Sequence, residues 1–396
     1  MSAKERPRAL FLTPSYPSSG ASGGLVVTQE RLRVLASFFD LTVLSLEGEQ
    51  PATPITEGSH LAAGHLRPRR LWVWLCSLAY RLPLSIFRNH SKELLELSRQ
   101  MGSRPFHLIY VDHWLMIPAA YHLKGPYRVL HLHNAEHQLL ERAALQMKGI
   151  KAWVTRCESV RAMDFLRRWL ASFDEIHFLS QDDLNITQRD CGYTLPAKVF
   201  LPAVQIPCEP GPLSNRQSAL LFVGSLSWHP NTEGLTWFLA EVWPWLQGLR
   251  LDVVGNGAPA SLLAQAGKHA EVYMKGFIED LDAYYQSARV FIAPLLSGSG
   301  VKIKVIHALA HGLPIVTTSI GAEGLPELDK TGLLVADTPT EFAQFVDILV
   351  RDDEVWQRCS ELGKSYASKY LTGNSFADWA SEAAMTLTSA PHSCSY

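Results

Sequence analysis

The 396-residue sequence carries 36 Lys and Arg against 38 Asp and Glu, a formal net charge of −2, with 47% apolar and 19% charged residues. That length suits two domains better than one, because single cores rarely grow past about 250 to 300 residues, and the apolar fraction is ordinary for a chain that buries a large core. The near-balanced charge excludes a general basic field that would draw the protein to nucleic acid or to an anionic membrane, leaving only local patches.

The six cysteines (Cys76, Cys157, Cys191, Cys208, Cys359, Cys394) form no CxxC pair and no ligand-like grouping with histidine. This pattern predicts reduced thiols in a cytoplasmic protein and argues against a disulfide frame or a zinc site. Met1 to Arg8 is polar and charged, and only a short apolar run follows before Pro14, so no signal peptide is expected. The longest apolar candidate, Leu71 to Phe87, contains Arg81 and Pro83. It is too short and interrupted for a comfortable membrane span of about 20 residues.

In chain order, the first expected strand is Ala9–Leu12, followed by a Pro/Ser/Gly loop from Pro14 to Gly24 and a helix over Val26–Phe38. Leu41–Leu46, Leu108–Val111, Arg128–His131 and Glu175–Leu179 read as the next strands. The stretch Ile206–Gln217 is rich in Pro, Gly and polar residues, has no periodicity and reads as an interdomain linker. A second series follows, with strands expected at Leu220–Val223, Arg250–Val254, Glu271–Lys275, Val290–Ala293 and Pro314–Thr317 and helices between them. Ser375–Thr386 reads as a final amphipathic helix before a frayed end. Strands alternating with helices are the signature of βαβ units and parallel sheets. Two such domains joined by one linker leave a cleft at their strand C-terminal edges, where open α/β sheets bind ligands.

The strongest local feature is Ser297–Gly312, SGSGVKIKVIHALAHG, where a strand ends at Pro294, a glycine-rich turn follows and a helix is expected to begin near Gly300. Free backbone N–H groups and the positive end of a helix dipole make a ready anion site, and small residues let a phosphate approach the backbone. On that helix Lys304, His307 and His311 share one face, Val301, Val305 and Ala308 another, and Lys302 falls in the first turn. A plain strand-to-helix connection with solvated lysines is the alternative.

Gly224–Asn231 (GSLSWHPN) is a polar turn at the end of an expected strand, with Asn231 a candidate either for substrate contact or for capping the next helix. VGNG at 254–257 is half a dinucleotide fingerprint and reads better as a tight turn. In the first half, Ser22–Gly24 lies between a strand and a helix and is a second candidate phosphate cradle. His131–His137 (HLHNAEH) sets three His, an Asn and a Glu behind a strand. No Cys or paired carboxylate completes a metal set there, so no metal site is assigned; a sugar- or acceptor-facing polar cluster fits better. Arg67–Arg70 with Trp72, Trp74 and Tyr80 reads as an interfacial helix touching anionic lipid, or as a basic turn before a mostly buried helix.

Four blocks stand in order along the second half: LLFVGSLSWHPN (220–231), VVGNG (253–257), KGFIEDLDAYYQSARVFIAPL (275–295) and GSGVKIKVIHALAHGLPIVTTSIGAEGL (298–325). With them this half resembles the retaining, family-four glycosyltransferases of the GT-B fold, particularly those of bacterial polysaccharide assembly. The first half agrees more loosely, through GG at 23–24 and HNAEH at 133–137. The resemblance implies two Rossmann-like, doubly wound domains facing a central cleft. Residues 1–205 would bind the acceptor, 206–217 link the domains, 218–374 bind the nucleotide sugar, and 375–396 cross back onto the first domain.

The resemblance also assigns residues. Gly224 and Ser225 would line the nucleotide-sugar site, the backbone around Ile278 would meet the base, and Gly300 to Lys304 would hold the diphosphate with Gly23–Gly24 closing over it. His133 matches a first-domain histidine that approaches the transferred sugar. The family's Glu-x7-Glu motif falls on Ser299 and His307, so both acids are absent; His307 keeps the ability to hydrogen-bond a ribose as donor or acceptor. The Arg and Lys that often neutralise the diphosphate fall on Ser225 and near Asn231, which leaves Lys302 and Lys304 as substitutes.

The expected function is metal-independent transfer of a sugar, with retention, from a nucleotide-sugar donor to a saccharide, lipid-linked or small-molecule acceptor. His133 and Lys302 are the expected catalytic residues. No cofactor is expected beyond the donor as substrate, and no nucleic acid. Localisation is expected to be cytoplasmic, with peripheral contact at the inner membrane face through residues 67–88. A nucleotide-sugar epimerase of similar architecture and a catalytically degenerate nucleotide-sugar-binding partner subunit remain as alternatives. A nicotinamide oxidoreductase fits least, since no full GxGxxG with its acidic partner occurs.

Overall fold

In the computed structural model, which describes residues 6–17, 23–47, 59–63, 70–89, 91–125, 127–207, 216 and 219–389, short apolar runs form two all-parallel sheets. The first has the order β3-β2-β1-β4-β5-β6-β7, built from β1 (Arg8–Ser15), β2 (Asp40–Glu47), β3 (Ser59–Ala62), β4 (Leu108–Asp112), β5 (Tyr127–Leu132), β6 (Glu175–Phe178) and β7 (Ala197–Val199). The second has the order β10-β9-β8-β11-β12-β13, from β8 (Ala219–Val223), β9 (Arg250–Val254), β10 (Val272–Gly276), β11 (Val290–Ala293), β12 (Ile315–Thr317) and β13 (Leu334–Val335). Both are doubly wound, as expected.

Helices on both faces explain why the central strands read as continuous apolar runs rather than alternating ones. In β1, Leu10 and Leu12 join a core with Phe165 and Leu166 of the Gly149–Trp169 helix. Ala9 and Phe11 point the other way, to a core with Leu32 and Leu35 of the Gly23–Phe38 helix and Phe376 and Trp379 of the Asn374–Ser389 helix. A buried cation ties these last elements together. The Arg31 guanidinium lies 4.0 Å over the Phe376 ring and donates to the Phe200 carbonyl at 2.9 Å.

The chain divides into two compact units, Met1–Phe200 with Gly373–Tyr396, and Leu201–Thr372. Of the linker expected at 206–217, residues 208–215 and 217 lie outside the described residues. Ile206 packs against the second unit's core, and Arg216 donates to the carbonyls of Tyr285 and Ala288.

Three strands have no counterpart in the sequence reading: β3, β7 and β13. Each is four residues or fewer and lies at the edge of its sheet. An edge strand is covered less, so it has no need of the apolar run that betrays a central one. Among the described residues, no helix is long and apolar enough to cross a membrane.

Candidate active site

In each sheet one pair of neighbouring strands marks the point where the chain reverses its direction of winding, and ligands bind open α/β sheets at the carboxyl ends of such strands. In the second unit that pair is β8 and β11. The loops leaving them are Gly224–Trp228 and the Pro294–Lys302 segment, which overlap Gly224–Asn231 and Ser297–Gly312 singled out by sequence.

These loops are locked by close backbone approach. A Cβ on Gly224 would stand 2.7 Å from Asn231 Nδ2 and 3.3 Å from Lys304 Nζ, so a side chain there would have to displace the Asn231 amide. Asn231 Nδ2 donates to the Ser225 carbonyl at 2.8 Å, and Asn231 Oδ1 accepts from Lys304 Nζ at 2.5 Å. Asn231 is therefore not the cap of its helix. His229–Trp237 has Trp228 at its N-cap, and the Asn231 side chain is turned inward to the loop and the lysine. The VGNG segment is a tight turn, as expected: Gly255 has φ 153° and Gly257 φ 77°, and a Cβ on Gly255 would lie 1.9 Å from the Gly224 carbonyl oxygen.

The helix expected from Gly300 starts later, at Ile303. Gly298 (φ 118°) and Gly300 (φ 69°) occupy the left-handed region, which breaks the helix; Gly298 is half-buried and Gly300 buried. Lys302 is accordingly the extended N-cap residue and not part of the first turn. Its ammonium donates to the Gly300 carbonyl at 2.5 Å and lies 3.7 Å from Glu323 Oε2, an acid that motif reading overlooked. Lys304 sits deeper, 4.6 Å over the Phe222 ring. Burial, reinforced by the charge of Lys302, pulls its pKa down to about 7.

His307 lies one turn beyond Lys304, stacked on Tyr285 at 6.4 Å. Burial first, then the neighbouring His311, lower its pKa to about 4, so it is neutral at pH 7. His311 does not join a ligand-facing row with them. It packs on Tyr285 at 4.6 Å, with Nδ1 2.7 Å from the His307 carbonyl and Nε2 3.1 Å from Asp282 Oδ1. Ser299 is half-buried in the loop. Ile278 follows β10 and packs on the core that holds Val305 and Ile306.

In the first unit the corresponding strands are β1 and β4. Gly23 and Gly24 are exposed at the start of the helix after β1; Ser22 lies outside the described residues. A Cβ on Gly24 would stand 3.6 Å from His133 Nδ1, so the histidine lies beside that helix terminus. Its other nitrogen is fixed from below. Asp112, at the end of β4, accepts from His133 Nε2 and His131 Nδ1 on the same Oδ1, each at 2.8 Å, and from Thr28 Oγ1 on Oδ2 at 2.6 Å.

Burial alone would raise the Asp112 pKa, but the charge of His133 and hydrogen bonds from both imidazoles outweigh it and hold the carboxylate well below its ordinary range. His113, strained at φ 91°, packs edge-on to His133 at 5.4 Å. Its pKa falls to about 3, chiefly by burial, while burial raises that of Glu136, 3.6 Å away, to about 7.

The HLHNAEH segment is thus not one cluster. His131 lies within β5 and His133 just beyond it, both on Asp112, whereas His137 points elsewhere and bonds Asp190 at 2.9 Å. The Asp112, His131 and His133 donor atoms lie within 4.8 Å of one another, a spacing a metal also requires. Here both imidazole N–H groups and a threonine hydroxyl already engage the carboxylate, the pattern of a hydrogen-bond hub. Asp112 and His113 were legible only as polar residues ending an apolar strand.

Residues 217–352 match the family model for group 1 glycosyl transferases. A curated relative, an uncharacterized protein from the cps region of Klebsiella pneumoniae, is 29% identical over 188 residues. That match covers 44% of this chain and 47% of the relative, so it spans about half the length of each. Solved structures extend over nearly the whole chain. HepE of Anabaena in complex with UDP-glucose superposes with a TM-score of 0.68 at 12% identity, covering 96% of this chain and 99% of that one. Sucrose-phosphate synthase of Thermosynechococcus elongatus gives 0.73 at 14%, covering 97% and 99%. WaaG, a glycosyltransferase involved in lipopolysaccharide biosynthesis, gives 0.67 at 17%, covering 94% and 99%. Residues 217–352 are thus similar to group 1 glycosyl transferases, and the chain has the GT-B fold of its structural neighbours.

Proposed function

We propose that this protein transfers a sugar, with retention and without a metal ion, from a nucleotide-diphosphate sugar to an acceptor hydroxyl in polysaccharide or glycoconjugate assembly. The observation that carries the reading is Lys304, half-buried at the β8/β11 winding reversal with its ammonium on Asn231 and beside Gly224. A cation with a lowered pKa, a glycine loop and a helix N-terminus at one point suit a diphosphate leaving group. In this reading Lys304 and Lys302 take the developing charge, Gly224, Ser225, Ser299 and Gly300 offer backbone and small side chains, Ile278 adjoins the base, and neutral His307 meets the ribose.

On the first unit, His133 attends the transferred sugar beside Gly23 and Gly24, and Asp112 sets its orientation. With Nε2–H donated to Asp112, the ring presents Nδ1. The carboxylates bonded to the β11 loop hold that loop, Glu233 accepting from Ser297 at 2.6 Å and Glu323 pairing with Lys302, and the reading takes retention to proceed by front-face attack. UDP-glucose in HepE supports a nucleotide-sugar donor, and the acceptor in this reading is a saccharide or a lipid-linked one. Work in the cytoplasm, at the inner membrane face, belongs to the same reading.

The test is incubation of the full chain with UDP-, GDP-, dTDP- and ADP-sugars, with and without acceptor saccharides. Nucleoside diphosphate release tied to an α-linked product from an α-linked donor supports the proposal, and persistence of turnover in EDTA supports its metal-free form. An isomerised sugar without transfer makes the chain an epimerase. Binding without turnover makes it a nucleotide-sugar-binding subunit.

A further inference from the structure

One corner of the first unit is at once apolar, exposed and basic. It lies where the Glu136–Gln146 helix meets the Gly149–Trp169 helix. Leu145, Met147, Ile150 and Trp153 are 68%, 43%, 77% and 64% exposed there, and Val160 further along is 53% exposed. Ile150, Trp153 and Val160 fall on one face of their helix, opposite the buried Ala162, Phe165 and Leu166. Isolated exposed apolar side chains are normal on a protein surface; a contiguous group marks an interaction site.

Cations dominate the charge around it, with the exposed Glu141 one helical turn before Leu145 as the flanking acid. Residues 142–157 contain Arg142, Lys148, Lys151 and Arg156 and no acid, on a chain whose net charge is −2. Lys148, Lys151 and Arg156 are exposed among the apolar side chains. The nearest acids along this helix are engaged, Glu158 with Arg161 at 3.0 Å and Asp164 with Arg167 at 3.5 Å.

We propose that this corner docks the protein onto an anionic lipid bilayer. Trp, Ile, Leu and Met would enter the boundary between headgroups and acyl chains while Lys148, Lys151 and Arg156 meet the anionic headgroups. A second copy of the chain fits worse, because a two-fold pairing through this patch would set its cations against one another. The Arg70–Tyr80 helix adjoins the surface, since Arg161 donates to Ser77 Oγ at 3.0 Å, and it exposes Leu75 and Tyr80. Of the basic-aromatic segment noted in the sequence, Arg67 to Arg69 lie outside the described residues, and the centre of the docking surface is residues 145–160. The inference does not rest on the transferase reading.

Vesicle flotation of the full chain tests it, using phosphatidylcholine vesicles with and without phosphatidylglycerol. The wild-type protein should float with the anionic vesicles, stay behind with the neutral ones, and lose binding at high salt. The double variant Ile150→Ser, Trp153→Ser and the triple variant Lys148→Gln, Lys151→Gln, Arg156→Gln should each weaken partitioning by roughly tenfold or more. Their melting temperatures should match wild type, as expected for surface substitutions. The proposal is overturned if the wild type ignores anionic vesicles, if both variants bind as wild type, or if the chain forms a dimer in sedimentation that Trp153→Ser dissolves.

Discussion

Lys304 Nζ and Asn231 Oδ1 lie 2.5 Å apart, joining the helix after β11 to the helix that follows the β8 loop. The first of these elements supplies the cation and the second holds it over Gly224. Replacing Asn231 with Ala removes both this contact and the bond to the Ser225 carbonyl. A hydrogen bond to a charged group contributes about 1.5–3 kcal/mol, so affinity for a nucleoside diphosphate should fall by about tenfold to a hundredfold. Isothermal titration calorimetry checks this, and unchanged affinity would show that the lysine needs no such support.

The acidity of Lys304 gives binding a pH signature. With a pKa near 7 in the free protein, half the ammonium is already lost at neutrality. A bound diphosphate favours the charged form and raises that pKa, so the lysine's contribution is complete below about pH 7 and declines as pH rises towards the bound-state value. Affinity should therefore weaken between pH 7 and 9, with proton uptake visible as a buffer-dependent heat. In Lys304→Met this slope should flatten, leaving only the ligand's own titration. An equal slope in both proteins would assign the effect to another group.

Gly224 offers a steric test. Gly224→Ala places a methyl 2.7 Å from Asn231 Nδ2, so the amide must move and carry the lysine with it. Overpacking of this kind costs about 1–3 kcal/mol. Chemical denaturation should show that loss together with weakened diphosphate binding. Stability lost with binding intact would separate the loop from the ligand.

Asp112 tests the first unit. Its depressed pKa means that it stabilises the fold above its unfolded value, near pH 3.9, and that this contribution is lost as pH falls through the lower folded value. Asp112→Asn should cost about 3 kcal/mol at pH 7, as expected for breaking a buried charge pair, with the deficit shrinking in acid. Sugar transfer should fall with it, while nucleotide affinity, set in the second unit, stays near wild type. A stability deficit independent of pH would mean that the carboxylate is not ionised on its histidines.

Much of the fold was legible because doubly wound sheets bury their central strands on both faces, and β1, β4, β8 and β11 read as unbroken apolar runs. The edge strands β3, β7 and β13 lacked that pressure and went unread. Within the site, glycines at tight turns announced themselves: Gly255 stands where no side chain fits and Gly300 where φ is left-handed. What sequence could not supply was pairing across distance. Asp112 lies 21 residues from His133, Asn231 lies 73 from Lys304, and neither separation has a local signature. The left-handed Gly300 also moved the helix start to Ile303, because a motif names its glycines without fixing their dihedral angles.

The most direct measurement is calorimetric titration of UDP, GDP and the matching free nucleosides into wild type and into Lys304→Met. At least one nucleoside diphosphate should bind the wild-type protein and lose tenfold or more in the variant, while its nucleoside binds both proteins alike. Equal diphosphate affinity in the two proteins would contradict the account.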